Sequence, residues 1–556
     1  MKKFVLSTFV LITAFLTTAF TSCREEKKEN MDIPVAVTGV TFDKSDITLE
    51  IGKELTLGYT VVPEKATNKD VKWESDHPNV VTVSNGKLTA KATGTAKITV
   101  ITWDGDFKDD CNVTVTPIPV SGVMIGATTL KLVAGMSEYA MTYSIVPENA
   151  GNKEVTWSSD NHNVAVVNET GEIKALSEGT AKITVTTKDG GFKSSCELNV
   201  LFMSRDLGLK DYISMIRPDF KIGFYHILWP IDSEIPNQIF KKDFNYSSLG
   251  IFMNKTQKTL TDWDLGFLNE QDFRLSTLKN IGITDIGYHH LYGWNIYNPP
   301  WFTEETFTSQ ELETILDSRA KYIFDKYGTD MLDMHVINES FPGGNWRDAK
   351  DDQWTNLGFV TGWNGYNYPK YLGLGFEKSR LYGGRNVKLI YNDNNNSMYG
   401  MTGGNYKSVQ NLNLFKNFKE LGIPIDGVGL QCHFAIEPTG KVYEGTFEVD
   451  YSKITQQMNE LGKLGAIVQI TECDITLPSA IYGDNYLEIQ AKAYLDIFKT
   501  CFENPHCNLF QLWYLNDVNT PDGKRSGFFD ADWNPKPAYF AILDYLYEKA
   551  CEKIIE

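Results

Sequence analysis

Hydrophobic positions recur with two different periods along the chain, and the change of period divides the chain into two parts. Residues 37–201 contain short runs in which polar and apolar side chains alternate, such as Lys97 to Val100, separated by Gly, Asn and Asp. Alternation places every second side chain on one face of a strand, so this part predicts β-sandwiches. Residues 202–556 instead contain short β-branched runs separated by longer amphipathic segments. Strands and helices that alternate over this length predict an α/β fold, a (β/α)₈ TIM barrel.

The first part contains one module twice. The tripeptide Val-Pro-Glu occurs at Val62 and again at Val146, and Gly-Thr-Ala-Lys-Ile-Thr-Val follows at Gly94 and again at Gly179. Two copies of one pattern predict two consecutive all-β domains of the same fold. The expected boundaries are residues 37–117 for the first domain and residues 118–201 for the second.

Each copy also has one Trp at the same relative place, Trp73 in the first and Trp157 in the second. The shared place favours a core position over a ligand platform. The repeated motifs resemble those of bacterial Ig-like domains of group 2. That resemblance implies two Ig-like sandwiches, which we expect to act as spacers for the domain that follows.

The N-terminus has the features of a targeting segment. Residues 1–22 begin with two Lys and continue as an apolar stretch that is too short to span a membrane comfortably. Cys23 stands behind small residues at its end and resembles the lipidated Cys of a bacterial lipoprotein signal. The resemblance implies an outer-membrane lipoprotein exposed at the cell surface, attached to the membrane by its lipid alone, with residues 23–36 as a flexible tether. The alternative is an ordinary secretory signal with an incidental Cys.

Composition and net charge limit the kinds of partner that the protein is expected to bind. The net charge is −18, from 53 basic and 71 acidic residues, which argues against a nucleic-acid binder. None of the Cys residues has a metal-ligand spacing, and neither a metal ion nor an organic cofactor is implied. Cys501 and Cys507 could form a disulfide because both precede an apolar strand-like run, but we interpret the Cys residues as small buried side chains. We expect a monomer.

Two carboxylates stand where a barrel places catalytic residues. Glu339 and Glu472 each follow an apolar strand-like run, and catalytic groups of TIM barrels lie at the C-terminal ends of strands. Two such Glu residues suggest glycoside hydrolysis, in which one carboxyl protonates the leaving oxygen and the other attacks the anomeric carbon if the carboxyls lie about 5–5.5 Å apart. A pair of salt-bridged Glu residues at the barrel mouth is the alternative.

The motifs around these carboxylates occur in an order that resembles family-10 glycoside hydrolases, the retaining endo-β-1,4-xylanases. The resemblance covers nearly all of residues 202–556. The matching motifs are Phe220-Lys221-Ile222-Gly223, His290-Leu291-Tyr292-Gly293-Trp294, Val336-Ile337-Asn338-Glu339, Lys388-Leu389-Ile390-Tyr391-Asn392-Asp393, Gly429-Leu430-Gln431-Cys432-His433, Ile470-Thr471-Glu472-Cys473-Asp474 and Pro535-Lys536-Pro537-Ala538-Tyr539.

The resemblance implies a role for each matched residue. Glu339 is expected to be the acid/base and Glu472 the nucleophile. Asn338 is expected to bind the sugar 2-hydroxyl, and His433 to donate a hydrogen bond to Glu472. The remaining expected cleft residues, for which barrel packing is the alternative, are His290, Trp294, Gln431 and Trp513.

Several positions depart from the family pattern on the glycone side. Ile251 and Asn254 stand where the family has Asn and Lys, and Asn295 and Tyr297 stand where it has His and Gln. The loop from 519 to 527 also lacks the family's second Trp. These departures predict altered glycone recognition with an intact catalytic apparatus.

The sequence therefore favours a cell-surface retaining endo-glycosidase that acts on β-1,4-xylan or a related β-linked polysaccharide. The alternative is a surface glycan-binding protein on a degenerate hydrolase barrel. A structural adhesin built on the Ig-like repeats is a more distant possibility.

Overall fold

A computed structural model describes residues 33–135, 138–225, 234–342, 346–348, 350–401, 407–477, 484–519 and 525–555. The predicted signal segment, Cys23 and most of the predicted tether lie outside the described residues. Among the helices of these ranges, none combines the length and the apolar character that crossing a membrane requires.

The N-terminal unit contains two copies of one strand arrangement. The strands of the first copy are β1 (Gly39–Phe42), β2 (Asp46–Glu50), β3 (Glu54–Thr56), β4 (Tyr59–Val62), β5 (Val71–Ser75), β6 (Val81–Ser84), β7 (Lys87–Ala90), β8 (Gly94–Thr102) and β9 (Lys108–Thr116). Those of the second are β10 (Gly122–Ile125), β11 (Thr129–Val133), β12 (Tyr139–Ala140), β13 (Tyr143–Val146), β14 (Val155–Ser159), β15 (Ala165–Val167), β16 (Glu172–Ala175), β17 (Gly179–Thr187) and β18 (Lys193–Leu201).

The sheets of the two copies correspond strand by strand. The first copy has the orders β2-β9-β8-β5, β3-β7-β6 and β1-β4, and the second has β11-β18-β17-β14, β12-β16-β15 and β10-β13. Inward side chains alternate with outward ones along β8, as the period of two predicts. This arrangement confirms the predicted all-β Ig-like region.

The repeated Trp residues pack inside their own copies. Trp73 on β5 lies edge-to-face with Tyr59 at 5.4 Å between ring centres, and Trp157 on β14 lies the same way against Tyr143 at 5.7 Å. Both indoles pack against buried aliphatic side chains. The expected core role of these two residues is confirmed.

In the C-terminal unit, strands alternate with helices. Its strands are β19 (Lys221–Tyr225), β20 (Tyr246–Gly250), β21 (Asp285–Gly293), β22 (Met331–Asn338), β23 (Phe359–Thr361), β24 (Asn367–Pro369), β25 (Lys388–Asp393), β26 (Gly427–Leu430), β27 (His433–Ile436), β28 (Val442–Glu444), β29 (Phe447–Glu448), β30 (Ile467–Thr476) and β31 (Cys507–Leu512). Its α-helices are α1 (Leu209–Ile216), α2 (Glu234–Asp243), α3 (Met253–Thr256), α4 (Leu265–Asn280), α5 (Pro300–Thr303), α6 (Ser309–Tyr327), α7 (Lys370–Gly383), α8 (Ser408–Leu421), α9 (Tyr451–Lys463), α10 (Asp484–Phe502) and α11 (Pro537–Ile555).

Within the described residues, eight parallel strands close into a barrel. Their order is β26-β25-β22-β21-β20-β19-β31-β30, and a further pairing of β26 with β30 completes the ring. Their side chains are almost all buried, as expected for strands covered on both faces. The predicted TIM barrel is therefore confirmed, and the C-terminal ends of its strands form one rim.

A buried arginine holds part of that rim in place. Arg319 on α6 is fully buried and donates to the carbonyl oxygens of Leu291 at 2.7 Å and Ile251 at 2.6 Å, and to Oγ1 of Thr256 at 3.0 Å. A buried cation needs such acceptors to replace its lost hydration. Its contacts tie the end of β21 to the segment that follows β20.

The structure corrects the interpretation of two cysteines. Cys501 near the end of α10 and Cys507 at the start of β31 form a disulfide, with their Cα atoms 5.4 Å apart. The chain turns sharply from helix to strand here, and this turn brings the two side chains together. Sequence spacing alone does not show such a turn. In the same barrel Cys432, Cys473 and Cys551 are buried and free, as expected.

Candidate active site

Glu339 follows the last residue of β22 and adopts an unusual backbone conformation. Its φ is +57°, in the left-handed region that residues other than glycine seldom occupy. Its amide nitrogen donates to the carbonyl of Asn392 at 3.0 Å, so the backbone stays tied to β25 while the half-buried side chain reaches the rim. Such strain persists where the surrounding structure enforces it, often at functional sites.

Glu472 lies within β30 and is only 3% exposed. Its Oε1 accepts a hydrogen bond from Nδ2 of Asn392 at 2.6 Å, and its Oε2 lies 3.3 Å from Nε2 of His433. Nε2 of His289 lies 3.8 Å from Oε1, beyond hydrogen-bond range. Both carboxylate oxygens of Glu472 therefore face fixed polar groups.

A chain of amide side chains connects the two carboxylates. Nδ2 of Asn392 donates to Glu472 and also to Oδ1 of Asn338 at 2.8 Å. Nε2 of Gln431 donates to the same Oδ1 at 3.2 Å and to Oε1 of Glu339 at 3.1 Å. Glu339, Asn338, Gln431 and Glu472 thus belong to one hydrogen-bonded network at one end of the barrel.

His433 bridges two carboxylates. Its Nε2 faces Glu472, and its Nδ1 lies 3.0 Å from Oδ1 of Asp474. Burial by itself would lower the pKa of His433, but the charges and hydrogen bonds of Asp474 and Glu472 outweigh it and raise the pKa well above its ordinary value. The two carboxylates therefore favour the protonated ring, which can donate to both of them.

The charge on His433 acts directly on Glu472. Burial raises the pKa of Glu472, and the hydrogen bond and positive charge of His433 oppose that rise. Glu339 is a further cause that raises this pKa, which shows that the two carboxyls interact electrostatically. A nucleophile that must stay ionised needs a cationic partner of this kind.

Among the described residues, the donors to the side chain of Glu339 are neutral groups, unlike His433 beside Glu472. Nε1 of Trp294 donates to its Oε2 at 3.3 Å, and Gln431 donates to its Oε1. Arg347 lies next to this site but donates its Nε to the carbonyl of Glu339 at 3.0 Å, and its guanidinium carbon lies 3.8 Å from the centre of a Trp294 ring. Glu472 is thus paired with an imidazolium, whereas the side chain of Glu339 accepts from neutral groups.

Aromatic rings surround the carboxylates. Trp513, which follows β31, stacks on Tyr225 with 4.1 Å between ring centres and stands edge-on to His433 at 6.1 Å. Tyr297 stacks on Phe252 at 5.6 Å on the other side of the site. Half-exposed rings offer flat apolar faces of the kind that pack against sugars.

The structure brings most of the residues named from the sequence together. Asn338, Gln431, His433 and Trp294 contact a carboxylate or the amide chain, and Trp513 borders the same site through His433. His290 differs from the expectation. It is 1% exposed, packs against Phe252 and Tyr297, and has no hydrogen-bond partner for either ring nitrogen among the described residues.

The neighbouring His289 takes the position nearest to Glu472. The pairing of β21 with β22 is irregular between His289 and Tyr292, where β21 has one more residue than β22. Such an irregularity changes which side chains face the barrel interior. It therefore places His289, rather than His290, beside the nucleophile candidate.

Sequence reasoning missed other residues of the site. Asn392 and Asp474 lie within the matched motifs, but no role was predicted for either of them. Asn392 stands near the end of β25, next to a rim position, and Asp474 stands two residues after Glu472 on β30. The period of two along a strand places Glu472 and Asp474 on one face, and this signal would have paired Asp474 with the site.

The residues that differ from the family pattern on the glycone side make contacts within the protein. Ile251 is fully buried, and its carbonyl accepts from Arg319. Nδ2 of Asn254 donates to the carbonyl of Ile296 at 3.0 Å. Asn295 accepts from the amide of Gln353 and donates to the carbonyl of Lys350, each at 3.0 Å, so its side chain holds a loop.

No cluster of three or more potential metal ligands occurs in the part of the chain that the structure describes. The chemistry available at the site is that of two carboxyl groups, an imidazolium and amide donors at the mouth of a TIM barrel. Two carboxyl groups that flank a cleft are the apparatus of glycoside hydrolases.

The comparisons with known proteins give the family. Residues 237–545 match the model of glycosyl hydrolase family 10, and residues 36–113 and 119–198 each match the bacterial Ig-like domain of group 2. The chain belongs to glycosyl hydrolase family 10.

Its relatives include xylanases. Endo-1,4-beta-xylanase B of Thermotoga neapolitana is 29% identical over 278 residues, 48% of this chain and 71% of the relative. Endo-1,4-beta-xylanase 2 of Aureobasidium pullulans is 26% identical over 263 residues, 46% of this chain and 67% of the relative. The protein is an endo-1,4-β-xylanase-like glycosyl hydrolase.

Solved structures share the barrel. Xylanase 10B of Thermotoga maritima has a TM-score of 0.53 at 24% identity, covering 62% of this chain and 99% of that one. Xylanase 10B of Thermotoga petrophila, solved in complex with xylobiose, has a TM-score of 0.53 at 23% identity, covering 64% and 100%. At these identities the likeness shows the fold.

Proposed function

We propose that this protein cleaves β-1,4-xylan or a related β-linked polysaccharide within the chain by double displacement, with Glu472 as nucleophile and Glu339 as acid/base. One observation carries this assignment. The ring of His433, which lies between Glu472 and Asp474, contacts Glu472, whereas Glu339 accepts from the neutral groups of Trp294 and Gln431. A nucleophile must be an anion before attack, and an acid must carry a proton until the leaving oxygen departs.

The amide chain supports a role for Asn338 in the same reaction. Its Oδ1 already accepts from Asn392 and Gln431, so its Nδ2 is the group left to donate to a sugar hydroxyl. A hydrogen bond to the 2-hydroxyl strengthens as the oxocarbenium-like transition state forms. Trp513, stacked on Tyr225, would pack against the sugar at the point of cleavage.

The proposal includes altered recognition on the glycone side. The side chains of Asn254 and Asn295 donate to backbone carbonyls, and Ile251 is buried. Two of these side chains are thus bonded to the protein's own backbone, and the third is apolar and buried. In their place the aromatic surface of Phe252 and Tyr297 borders the cleft.

The proposal also places the enzyme at the cell surface. Cys23 would be lipidated and the Ig-like domains would hold the barrel away from the outer membrane, with the lipid as the membrane attachment. A Cys23→Ser variant should then leave the membrane fraction or accumulate unprocessed, whereas a wild-type protein found wholly in the medium would refute the anchor. We expect a monomeric enzyme whose partner is its polysaccharide.

A product analysis tests the proposed activity and its specificity together. Linear xylan, branched xylans, mixed-linkage glucans and algal polysaccharides would be incubated with the full chain, and the oligosaccharides released would be identified by mass spectrometry. The proposal predicts short oligosaccharides from at least one β-linked substrate and weak activity on plain linear xylan. Tight binding of a glycan without any cleavage would instead establish the glycan-binding alternative.

A further inference from the structure

Two histidines on neighbouring barrel strands share a hydrogen bond next to Glu472. His289 on β21 pairs in register with His335 on β22, and their Nδ1 atoms are 2.8 Å apart. The two rings are 2% and 1% exposed and stand nearly perpendicular to each other. Nε2 of His289, the far nitrogen of its ring, is the atom that lies 3.8 Å from Oε1 of Glu472.

Both rings are neutral at working pH. Burial lowers the pKa of His335 to about 3. Burial lowers the pKa of His289 well below its ordinary value, and the nearby positive charge of His433 lowers it further. Other groups that face His289 are Tyr225, Phe252, Trp513 and the carboxylate of Glu472. Each neutral ring has one N–H, and the short Nδ1–Nδ1 contact requires that one ring donates and the other accepts.

The surroundings decide which ring donates. Nε2 of His335 is buried and has no partner among the described residues. A proton there would be an orphaned N–H, which is rarer in proteins than an unfilled acceptor. It would also force the proton of His289 onto Nδ1 and turn the bare lone pair of its Nε2 toward a carboxylate. A proton on Nδ1 of His335 avoids both costs.

We propose that His335 is a positioning residue: its Nδ1–H donates to Nδ1 of His289 and thereby fixes the proton of His289 on Nε2, which faces Glu472. At 3.8 Å the Nε2–H is too far to bond directly to Glu472. It stays available to a sugar hydroxyl beside the nucleophile, and its dipole favours the anionic carboxylate. This catalytic consequence rests on the proposed function, whereas the tautomer itself does not.

The tautomers can be read in the wild-type protein. The full chain would be labelled with ¹⁵N-histidine, and the ring nitrogens would be followed by NMR, in which bare and protonated nitrogens have well-separated shifts. Single histidine substitutions would assign the signals. The expected result is a protonated Nδ1 and bare Nε2 for His335, with the reverse for His289. A proton on Nδ1 of His289, or an imidazolium at either ring at neutral pH, would overturn the proposal.

A matched pair of variants tests the catalytic consequence. His335→Asn keeps an N–H donor for His289, and His335→Phe keeps a buried ring without one. We expect kcat to fall about 10- to 100-fold for His335→Phe, the range seen when the group that orients a ligating histidine is removed, and much less for His335→Asn. His506→Asn, at a histidine in the turn before β31, controls for loss of an imidazole.

The outcomes separate the two hypotheses. Equal loss in His335→Asn and His335→Phe, or no loss in His335→Phe, would overturn the positioning role. A change of the Nε2 signal of His289 in His335→Phe would support it even if the products showed that the proposed reaction is wrong. If His335→Phe fails to fold, the tautomers of the wild-type protein still decide the question.

Discussion

Asn392 holds Glu472 through one short hydrogen bond, from its Nδ2 to Oε1 at 2.6 Å. The orientation of this amide is fixed, because its Oδ1 accepts from the hydroxyl of Thr471 at 2.6 Å. The same Nδ2 also donates to Asn338. Asn392 therefore sets the position of the nucleophile candidate and of the residue expected to bind the 2-hydroxyl.

Replacement of Asn392 by Asp should strongly reduce catalytic activity. An acidic oxygen in place of Nδ2 would face Oε1 of Glu472, and like charges disfavour the ionised form. We expect kcat/KM to fall at least 100-fold and the acid limb of its pH profile to move to higher pH. Asn413→Asp, which adds the same charge on the exposed side of α8, is the control. A pH profile that keeps its acid limb would contradict this role for Asn392.

The two carboxylates should differ in their response to the leaving group. Glu472→Gln should reduce turnover of every substrate, on the order of 10⁴-fold or more, because no covalent intermediate can form. Glu339→Gln should lose about 10²- to 10⁴-fold on polysaccharide and far less on an aryl glycoside, whose leaving group needs no proton. Steady-state rates on both substrates distinguish the variants. The same loss on both substrates in Glu339→Gln would refute its role as acid.

His433 and Asp474 should each shift one titration. His433→Asn removes a cation that opposes the raised pKa of Glu472, so the acid limb of kcat/KM should move to higher pH. Asp474→Asn removes the carboxylate whose charge and hydrogen bond raise the pKa of His433, so the ring should lose its proton at lower pH. Profiles of kcat/KM test the first shift, and NMR of the ring nitrogens of His433 tests the second. An acid limb that stays in place in His433→Asn, or a His433 ring that titrates in Asp474→Asn as it does in the wild type, would contradict the assignment.

Burial of Asp352 should make folding stability depend on pH. Desolvation raises its pKa to about 7, against hydrogen bonds from Tyr371 and the amide of Trp354. Between about pH 4, the usual Asp pKa, and about pH 7, the folded state binds a proton that the unfolded state has lost, so the stability contribution falls as pH rises. Asp352→Asn retains the acceptor for Trp354 and should remove this fall. Denaturant unfolding of both proteins would be measured across that pH range. The difference between their free energies of unfolding should change with pH, and a constant difference would refute the prediction.

The glycone departures permit a direct test at an exposed position. Asn254→Lys restores the residue that the family pattern suggests, and we expect a several-fold rise in kcat/KM on linear xylan. Leu260→Lys adds the same charge on the same segment and should have no such effect. Ile251→Asn should not help, because it buries an amide in a fully buried site at a cost of about 1–3 kcal/mol. Wild-type activity on linear xylan that already matches family enzymes would refute altered recognition.

The sequence predicted the fold well because its signals are local or repeated. Alternation along β8 and the duplicated motifs predicted the Ig-like region, and the succession of strands and helices predicted the barrel. Glu339 and Glu472 were found because each follows an apolar run, although β30 continues past Glu472 to Thr476. Their neighbours on the rim followed from the family motifs.

The remaining features depend on contacts between distant segments. His289 displaces His290 because β21 and β22 pair irregularly, and pairing is not visible in one strand alone. Asn295 looked like a lost sugar contact, yet its bonds go to Lys350 and Gln353, far along the chain. These roles follow from how segments meet, which residue type and spacing do not specify.

The configuration of the first product tests the central claim most directly. Proton NMR would follow the hydrolysis of a β-linked xylo-oligosaccharide by the full chain, recorded before the sugar anomers equilibrate. Double displacement through Glu472 inverts the anomeric carbon twice, so the β-anomer should appear first and the α-anomer only later. A first product in the α configuration would show a single displacement by water and would contradict the role of Glu472 as nucleophile.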